Sequence, residues 1–154
     1  MIEKFEIIKA TKKDLDIYLK LRKQYKKEYF KIVGQKIKKS ENTNELLTKE
    51  FNDYLSPKSY LVFIKINKDY IGFLGGIFTI KPYYKIAYIF DIFIIKEYRC
   101  KGFGNILIKE FLKVAKKKGI KDCKLGVNIK NKNAFNFYKN LGFKALRYEM
   151  VRKI

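Results

Sequence analysis

A short basic turn with two glycines stands directly before an amphipathic helix, and it is the first part of the sequence that could bind a ligand. Backbone N–H groups at a helix start have no partner within the helix, and the helix dipole makes that end positive. Glycine lets the backbone adopt positive φ and approach an oxygen cluster closely. The turn therefore predicts an anion site, most simply for a pyrophosphate, formed by Arg99, Cys100, Lys101, Gly102, Phe103, Gly104 and Asn105.

Two common phosphate loops are excluded by the residues present. A dinucleotide fingerprint would need a third glycine where Leu107 stands. A Walker A loop would need a Gly-Lys-Ser/Thr run, which the chain lacks. One alternative stays open, in which the two glycines only ease a tight turn between a strand and a helix.

The residue types that are missing restrict the chemistry further. The chain has no histidine and two cysteines, Cys100 and Cys123. Catalysis by Ser-His-Asp or Cys-His groups is therefore excluded, and we expect no metal site. Acid–base chemistry must fall to Tyr, Glu, Asp, Lys, Cys or water. Cys100 occupies a spacer position of the turn, and we interpret it as incidental.

The net charge of +21 indicates attraction to anions such as nucleic acid, an acidic membrane or a phosphorylated ligand. Lys, Ile, Asn, Tyr and Phe are all abundant, so an AT-rich genome could also explain many of the lysines. No apolar run is long enough to span a bilayer, and the start lacks the pattern of a signal peptide. We expect a cytoplasmic protein without a membrane partner.

The pattern of apolar residues predicts one α/β domain over residues 1–154. The expected order is β-α-α-β-β-β-α-β-α-β, a mixed, mostly antiparallel central sheet with helices on both faces. A hairpin turns at Asn67, Lys68 and Asp69, and the run IAYIFDIFII is expected at the centre of the sheet. The last strand is expected in KALRYEMVRKI.

Two motifs together resemble the GNAT superfamily of N-acetyltransferases. The first is Arg-x-x-Gly-x-Gly after a buried strand, similar to the coenzyme A pyrophosphate loop of that family. The second is NKNAFNFYKNLGF, similar to the family pattern Asn-x-x-Ala-x-x-x-Tyr-x-x-x-Gly-Phe, here at Asn131, Ala134, Tyr138, Gly142 and Phe143. The resemblance covers nearly the whole chain.

Carried over by position, the resemblance implies roles for individual residues. The backbone of the central strand would pair with the pantetheine arm of acetyl-CoA at Ile92, Phe93 and Ile94. The glycine turn would hold the pyrophosphate, and Asn131 would hydrogen-bond the cofactor near its pantetheine portion. Tyr138 would be the general acid, since a phenol with a pKa near ~10 is protonated at neutral pH. The alternative is that Tyr138 is a core residue.

Several relatives carry glutamates that this chain lacks. Phe90 stands where polyamine acetyltransferases have a glutamate, and Gly126 where enzymes that act on protein N-termini have one. Asp91 falls on the opposite face from Phe90, where a structural role is commoner. Tyr88 shares the Phe90 face, so Tyr88 and Phe90 are weak candidates for the acceptor pocket. The general base is left unassigned, and water is an alternative.

The resemblance implies an acyltransferase that moves an acetyl group from acetyl-CoA to a primary amine by direct attack, through a tetrahedral intermediate. The positive field ranks polyamines and aminoglycosides below a mono-amine, an amino acid or a peptide amine. An acidic rim would reverse this ranking, if one formed from Glu28, Glu41, Glu45, Glu50 and Asp53.

Two other functions stay open. The chain could be a basic GNAT-like module that binds RNA, a ribosome or another polyanion, although its aromatic residues fall at core spacing rather than between exposed basic residues. It could also be a CoA-binding regulator without turnover. Monomer and homodimer are both open.

Overall fold

The computed structural model describes residues 4–154, and it contains five strands and four α-helices in the order β-α-α-β-β-β-α-β-α. The strands are β1 (Phe5–Lys9), β2 (Ser59–Ile66), β3 (Asp69–Lys81), β4 (Tyr84–Ile94) and β5 (Cys123–Leu125). The helices are α1 (Leu15–Val33), α2 (Asn44–Tyr54), α3 (Phe103–Lys117) and α4 (Lys132–Asn140). Short 3-10 turns cover Lys12–Asp14, Lys39–Glu41 and Lys96–Tyr98.

The sheet follows the order of the chain, β1-β2-β3-β4-β5. The first four strands pair antiparallel with their neighbours, and β5 alone runs parallel to β4. The parallel pair needs a crossover connection, which α3 supplies. The predicted mixed, mostly antiparallel sheet is confirmed.

Apolar residues of both sheet faces are buried, because helices cover both faces. One face packs on α3 and α4, with Leu107, Ile108 and Phe111 of α3 almost fully buried. The other face packs on α1 and α2, through Tyr18 and Phe51. The long apolar strands predicted for the middle of the sheet are buried for this reason.

Several local signals in the sequence mark the observed ends of elements. Gly34 ends α1 with φ 71° and Gly142 follows α4 with φ 89°, both in the left-handed region that favours glycine. The Thr43 hydroxyl caps α2 by accepting a hydrogen bond from the Leu46 N–H at 3.2 Å. Within residues 4–154, no helix is both long and apolar enough to cross a bilayer.

The predicted last strand is wrong. Residues 144–154, called the C-terminal arm below, have no regular secondary structure and are exposed along their whole length. Side chains such as Leu146, Tyr148 and Met150 are 78–92% exposed. The sequence has the alternation of a strand, but a strand needs a neighbour to satisfy its backbone groups, and in this structure the arm has none.

Candidate active site

The sheet opens between β4 and β5. Strand β5 pairs with β4 only opposite Ala87, Tyr88 and Ile89. The β3–β4 register shifts between Gly75 and Gly76, which leaves Phe90 as an extra, bulged residue. Bulges bend a strand and are frequent next to active sites. Beyond the bulge, residues 91–94 of β4 have a strand partner only on the β3 side, so the backbone of Ile92, Phe93 and Ile94 lies along an open edge.

The glycine turn lies at the end of this open edge. Gly102 is the N-cap residue of α3 and has φ 88°, and Cys100 also has positive φ, at 59°. Within residues 4–154, no side chain caps the first turn of α3. The N–H groups of that turn are therefore available to an external acceptor, and the helix dipole favours an anion there.

Two further features lie at the start of α3, beside this turn. A Cβ on Gly104 would lie 3.1 Å from the Phe137 ring, so the missing side chain allows α4 to pack closely against the start of α3. The Asn105 Oδ1 is buried and has no hydrogen-bond partner in the described part of the chain. This oxygen accepts hydrogen bonds, so a donor such as water completes it, and a phosphate oxygen cannot.

The Arg99 side chain turns away from the glycine turn and joins β4 to α1. Its Nε donates a hydrogen bond of 2.7 Å to the Ile94 carbonyl oxygen, and its guanidinium pairs with the Glu28 carboxylate. The guanidinium carbon also lies 5.5 Å from the centre of the Phe93 ring. Lys101 is exposed, with its Nζ 5.0 Å from the centre of the Tyr98 ring. Arg99 therefore fixes the end of the open edge, and Lys101 is an exposed cation beside the turn.

Helix α4 is capped by Asn131 and carries Tyr138, two residues of the second motif. The Asn131 Oδ1 caps α4 by accepting a hydrogen bond from the Ala134 N–H at 3.1 Å, which leaves its amide NH₂ group free to donate. Tyr138 packs beside Phe137 and Phe143, with ring centres 5.3 and 5.8 Å apart. Its hydroxyl has no hydrogen-bond partner among residues 4–154. Burial raises the pKa of Tyr138 above its ordinary value, and the Asp91 carboxylate raises it further.

Aromatic side chains line the bulged part of β4. The rings of Tyr88 and Phe90 have centres 5.2 Å apart, which confirms the prediction that they share a face. Phe90 is 48% exposed. A Cβ on Gly126 would lie 3.3 Å from the Tyr88 hydroxyl oxygen, so this glycine leaves room for the phenol. Where the sheet opens between β4 and β5, Phe90 and Gly126 therefore occupy the two positions at which relatives are expected to carry a glutamate.

A partly buried ionic network, which the sequence analysis did not find, lies on the face of β4 that packs on α1 and α2. The Arg22 Nη1 is 2.9 Å from Asp91 Oδ2, and its Nε donates to Glu50 Oε2 at 3.1 Å. The Lys26 Nζ donates to Glu50 Oε1 at 3.2 Å and to the Glu41 carbonyl oxygen at 2.8 Å. The Tyr54 hydroxyl donates to Asp91 Oδ2 at 3.4 Å. Two cations and two carboxylates thus neutralise each other.

This network limits how many carboxylates near the site are free to bind a cationic ligand. Asp91 and Glu50 are paired with Arg22 and Lys26, and Glu28 is paired with Arg99. Glu41 accepts a hydrogen bond from the Lys38 N–H at 3.3 Å. The helical spacing of charged residues along α1 was the only sequence signal for these pairs, because the partners lie far apart in the chain.

A mixed sheet that splits beside an uncapped helix start defines the N-acetyltransferase fold class, and the comparisons agree. Residues 19–143 match the acetyltransferase (GNAT) family. The chain belongs to this family.

Two curated relatives and one solved structure illustrate the match. An uncharacterized N-acetyltransferase of Methanocaldococcus jannaschii is 31% identical over 147 residues, which are 93% of this chain and 62% of that protein. The spermidine N(1)-acetyltransferase of Thermoplasma acidophilum is 28% identical over 91% of this chain and 88% of that protein. The aminoglycoside N-acetyltransferase AAC(6')-Iy, solved with a CoA bisubstrate analogue, has a TM-score of 0.78 at 16% identity, covering 99% of both chains.

Proposed function

We propose that this protein transfers the acetyl group of acetyl-CoA to a primary amine by direct attack, without a covalent enzyme intermediate. The observation that carries the proposal is the uncapped start of α3, with Gly102 at φ 88°, at the end of an open β4 edge. A long ligand with a phosphorylated end fits this combination, because an extended arm can hydrogen-bond the edge while its phosphates meet the helix start.

Each part of the site has a separate task in this proposal. The backbone of Ile92, Phe93 and Ile94 binds the extended arm, and the backbone of residues 99–105 surrounds the pyrophosphate. The Asn131 amide donates a hydrogen bond near the arm, since its oxygen is already used in the helix cap. When bound, acetyl-CoA supplies the thioester-linked acyl group.

Tyr138 is the residue that holds a proton for the leaving group. Its raised pKa keeps the phenol neutral throughout the physiological range, and its hydroxyl has no competing partner in the described residues. Asp91 is not available as a base because it pairs with Arg22 and accepts from Tyr54. With Phe90 and Gly126 at the two positions expected for glutamates, water takes the proton of the incoming amine.

The acceptor we favour is an amine with a single positive charge, such as a small amine, an amino acid or a peptide amine. Binding of several ammonium groups would need free carboxylates. Glu28, Glu50 and Asp91 already have cationic partners, which leaves Glu41, Glu45 and Asp53 without an ion pair among the described residues. The exposed ring of Phe90 suits an apolar group beside the amine. A polyamine is the second candidate, because a relative similar along most of its length is a spermidine N(1)-acetyltransferase.

The test measures acetyl-CoA consumption with pooled amines, followed by mass spectrometry of the products. Separate pools contain polyamines, aminoglycosides, amino acids and short peptides, and Tyr138→Phe is the matched control enzyme. We expect acetylation in the amino acid or peptide pool. Acetylation of polyamines alone would refute the acceptor class. Binding of acetyl-CoA without consumption in any pool would favour a CoA-binding regulator, and binding of RNA without acetyl-CoA binding would favour a polyanion-binding module.

A further inference from the structure

The end of α1 contacts the segments that carry both motifs, although it belongs to neither. On one side, the Arg99 guanidinium at the start of the glycine turn pairs with the Glu28 carboxylate. On the other side, the Lys130 Nζ donates a hydrogen bond of 2.9 Å to the Val33 carbonyl oxygen. These partners are 71 and 97 residues apart in the chain. Residues 28–33, which we call the bridge segment, therefore reach from the β4 side of the split to the loop between β5 and α4.

The local chain directs the ammonium group of Lys130 toward α1, although the residue as a whole is exposed. The Asn128 Oδ1 accepts a hydrogen bond from the Lys130 N–H at 3.0 Å, and the Asn128 carbonyl oxygen accepts one from the Asn131 N–H at 2.8 Å. The Val33 carbonyl belongs to the last turn of α1, where carbonyl groups have no partner within the helix. A cation at this end of a helix is also favoured by the helix dipole.

The hydrogen bond between Lys130 and Val33 joins the two parts of the protein that the split separates. Among residues 4–154, no other side chain after β5 hydrogen-bonds to a residue before α3. Asn131, whose amide we assign to the cofactor, is the next residue in the same turn. Fixing Lys130 to α1 therefore also fixes Asn131 relative to β4.

We propose that Lys130 is a positioning residue for acetyl-CoA, because its hydrogen bond to Val33 sets the width of the split and places Asn131 opposite the open edge of β4. This inference rests on the proposed function, which puts acetyl-CoA in the split. Lys130 acts through α1 and Asn131 and has no contact with the reacting atoms.

The length of the bridge segment suits an occupied split. Neighbouring strands lie ~4.8 Å apart, so an extended arm between β4 and the β5 side needs roughly 10 Å. Glu28 and Val33 are separated by about 7.5 Å along the helix axis, at ~1.5 Å per residue. The side chains of Arg99 and Lys130 add their own lengths at the two ends. The two contacts can therefore be made while the arm lies between them.

Lys130→Met removes the donor and keeps a long, unbranched side chain. We expect acetyl-CoA, which contacts both sides of the split, to bind about tenfold more weakly, as for the loss of one hydrogen bond from a charged group. ADP carries a pyrophosphate but no arm, so its affinity should stay within about twofold of the parent. A lysine that served only as a cation for the phosphates would weaken both ligands.

The first experiment measures the affinities of acetyl-CoA and ADP by titration calorimetry in the parent chain and three variants. Lys130→Arg keeps a charged donor and should restore most of the acetyl-CoA affinity. Lys132→Met is the matched control, because it removes the same charge from an exposed residue two positions away, and it should bind both ligands as the parent does. Unaltered acetyl-CoA affinity in Lys130→Met, equal losses for the two ligands, or an equal loss in Lys132→Met would overturn the proposal.

The second experiment follows hydrogen exchange of the chain without ligand, so its result does not depend on acetyl transfer. The Ala134 N–H donates to the Asn131 Oδ1 in the helix cap, and this amide should exchange faster in Lys130→Met than in Lys132→Met. If the parent chain binds no acetyl-CoA, the proposed function fails and this inference fails with it. If the parent binds acetyl-CoA and Lys130→Met matches it in both experiments, only this inference is wrong.

Discussion

Replacing Gly102 by valine should greatly weaken acetyl-CoA binding while the chain stays folded. Gly102 has φ 88°, and a non-glycine residue in such a conformation costs about 1–3 kcal/mol of folding free energy. A chain of this length should lose about 2–4 °C in Tm per kcal/mol, so the variant stays folded at room temperature. The new side chain also enters the turn and separates the pyrophosphate from the backbone donors. Loss of two charge-assisted hydrogen bonds, at about 1.5 kcal/mol each, should weaken acetyl-CoA binding more than about 100-fold.

Gly142→Val is the matched control for this experiment. Gly142 has φ 89°, and a Cβ there would meet nothing within 4 Å, so the backbone strain is similar while the turn is unchanged. Titration calorimetry with acetyl-CoA and thermal unfolding should be done on both variants. We expect similar losses of Tm and loss of affinity only in Gly102→Val. Equal affinities in the two variants would refute the assignment of the turn as the phosphate site.

Three further predictions concern single groups. Tyr138→Phe should lower kcat by at least about 100-fold and leave acetyl-CoA affinity unchanged in calorimetry, and an unaltered kcat would exclude Tyr138 as the acid. Burial raises the pKa of four tyrosines in the folded chain, Tyr18, Tyr25, Tyr54 and Tyr138, so the unfolded chain loses these protons at lower pH. The free energy of unfolding should therefore be constant below about pH 10 and fall above it, by up to about 1.4 kcal/mol per pH unit for each tyrosine. Urea titrations at increasing pH measure this. A flat profile to pH 11 would contradict this. Arg22→Met leaves Asp91 without its cation and should cost about 3 kcal/mol in urea unfolding. The control Lys27→Met, on the exposed side of α1, should cost less than about 0.5 kcal/mol. Equal losses would show that the ion pair contributes little.

Local signals in the sequence were enough for most of the fold. The pattern of apolar residues predicted the helices and the first four strands, because this signal acts within a few residues. The C-terminal arm was predicted as a strand for the same reason, since alternation reports only the tendency to pair. Whether a partner strand is available depends on the tertiary or quaternary structure, which alternation does not encode.

The site divides in a similar way between local and distant contacts. The glycine turn and the second motif are contiguous in sequence, so their residues could be identified before the structure. The partners of Arg99 and Asp91 could not, because Glu28 is 71 residues from Arg99 and Tyr54 is 37 residues from Asp91. Charge pairing at such separations requires the sheet to bring α1, α2 and β4 together.

The two parts of the protein on either side of the split in the sheet should differ in the free energy needed to open their backbone hydrogen bonds. Strands β1 to β4 are joined in chain order with long antiparallel ladders, whereas β5 has three paired residues and α4 has no fully buried one. Regions with few buried contacts open at lower free-energy cost than the rest of the chain. Amide hydrogens of β5 and α4 should therefore exchange with solvent faster than those of β2 and β3. A ligand that spans the split joins both parts, so its binding should slow exchange mainly in the half that opens first.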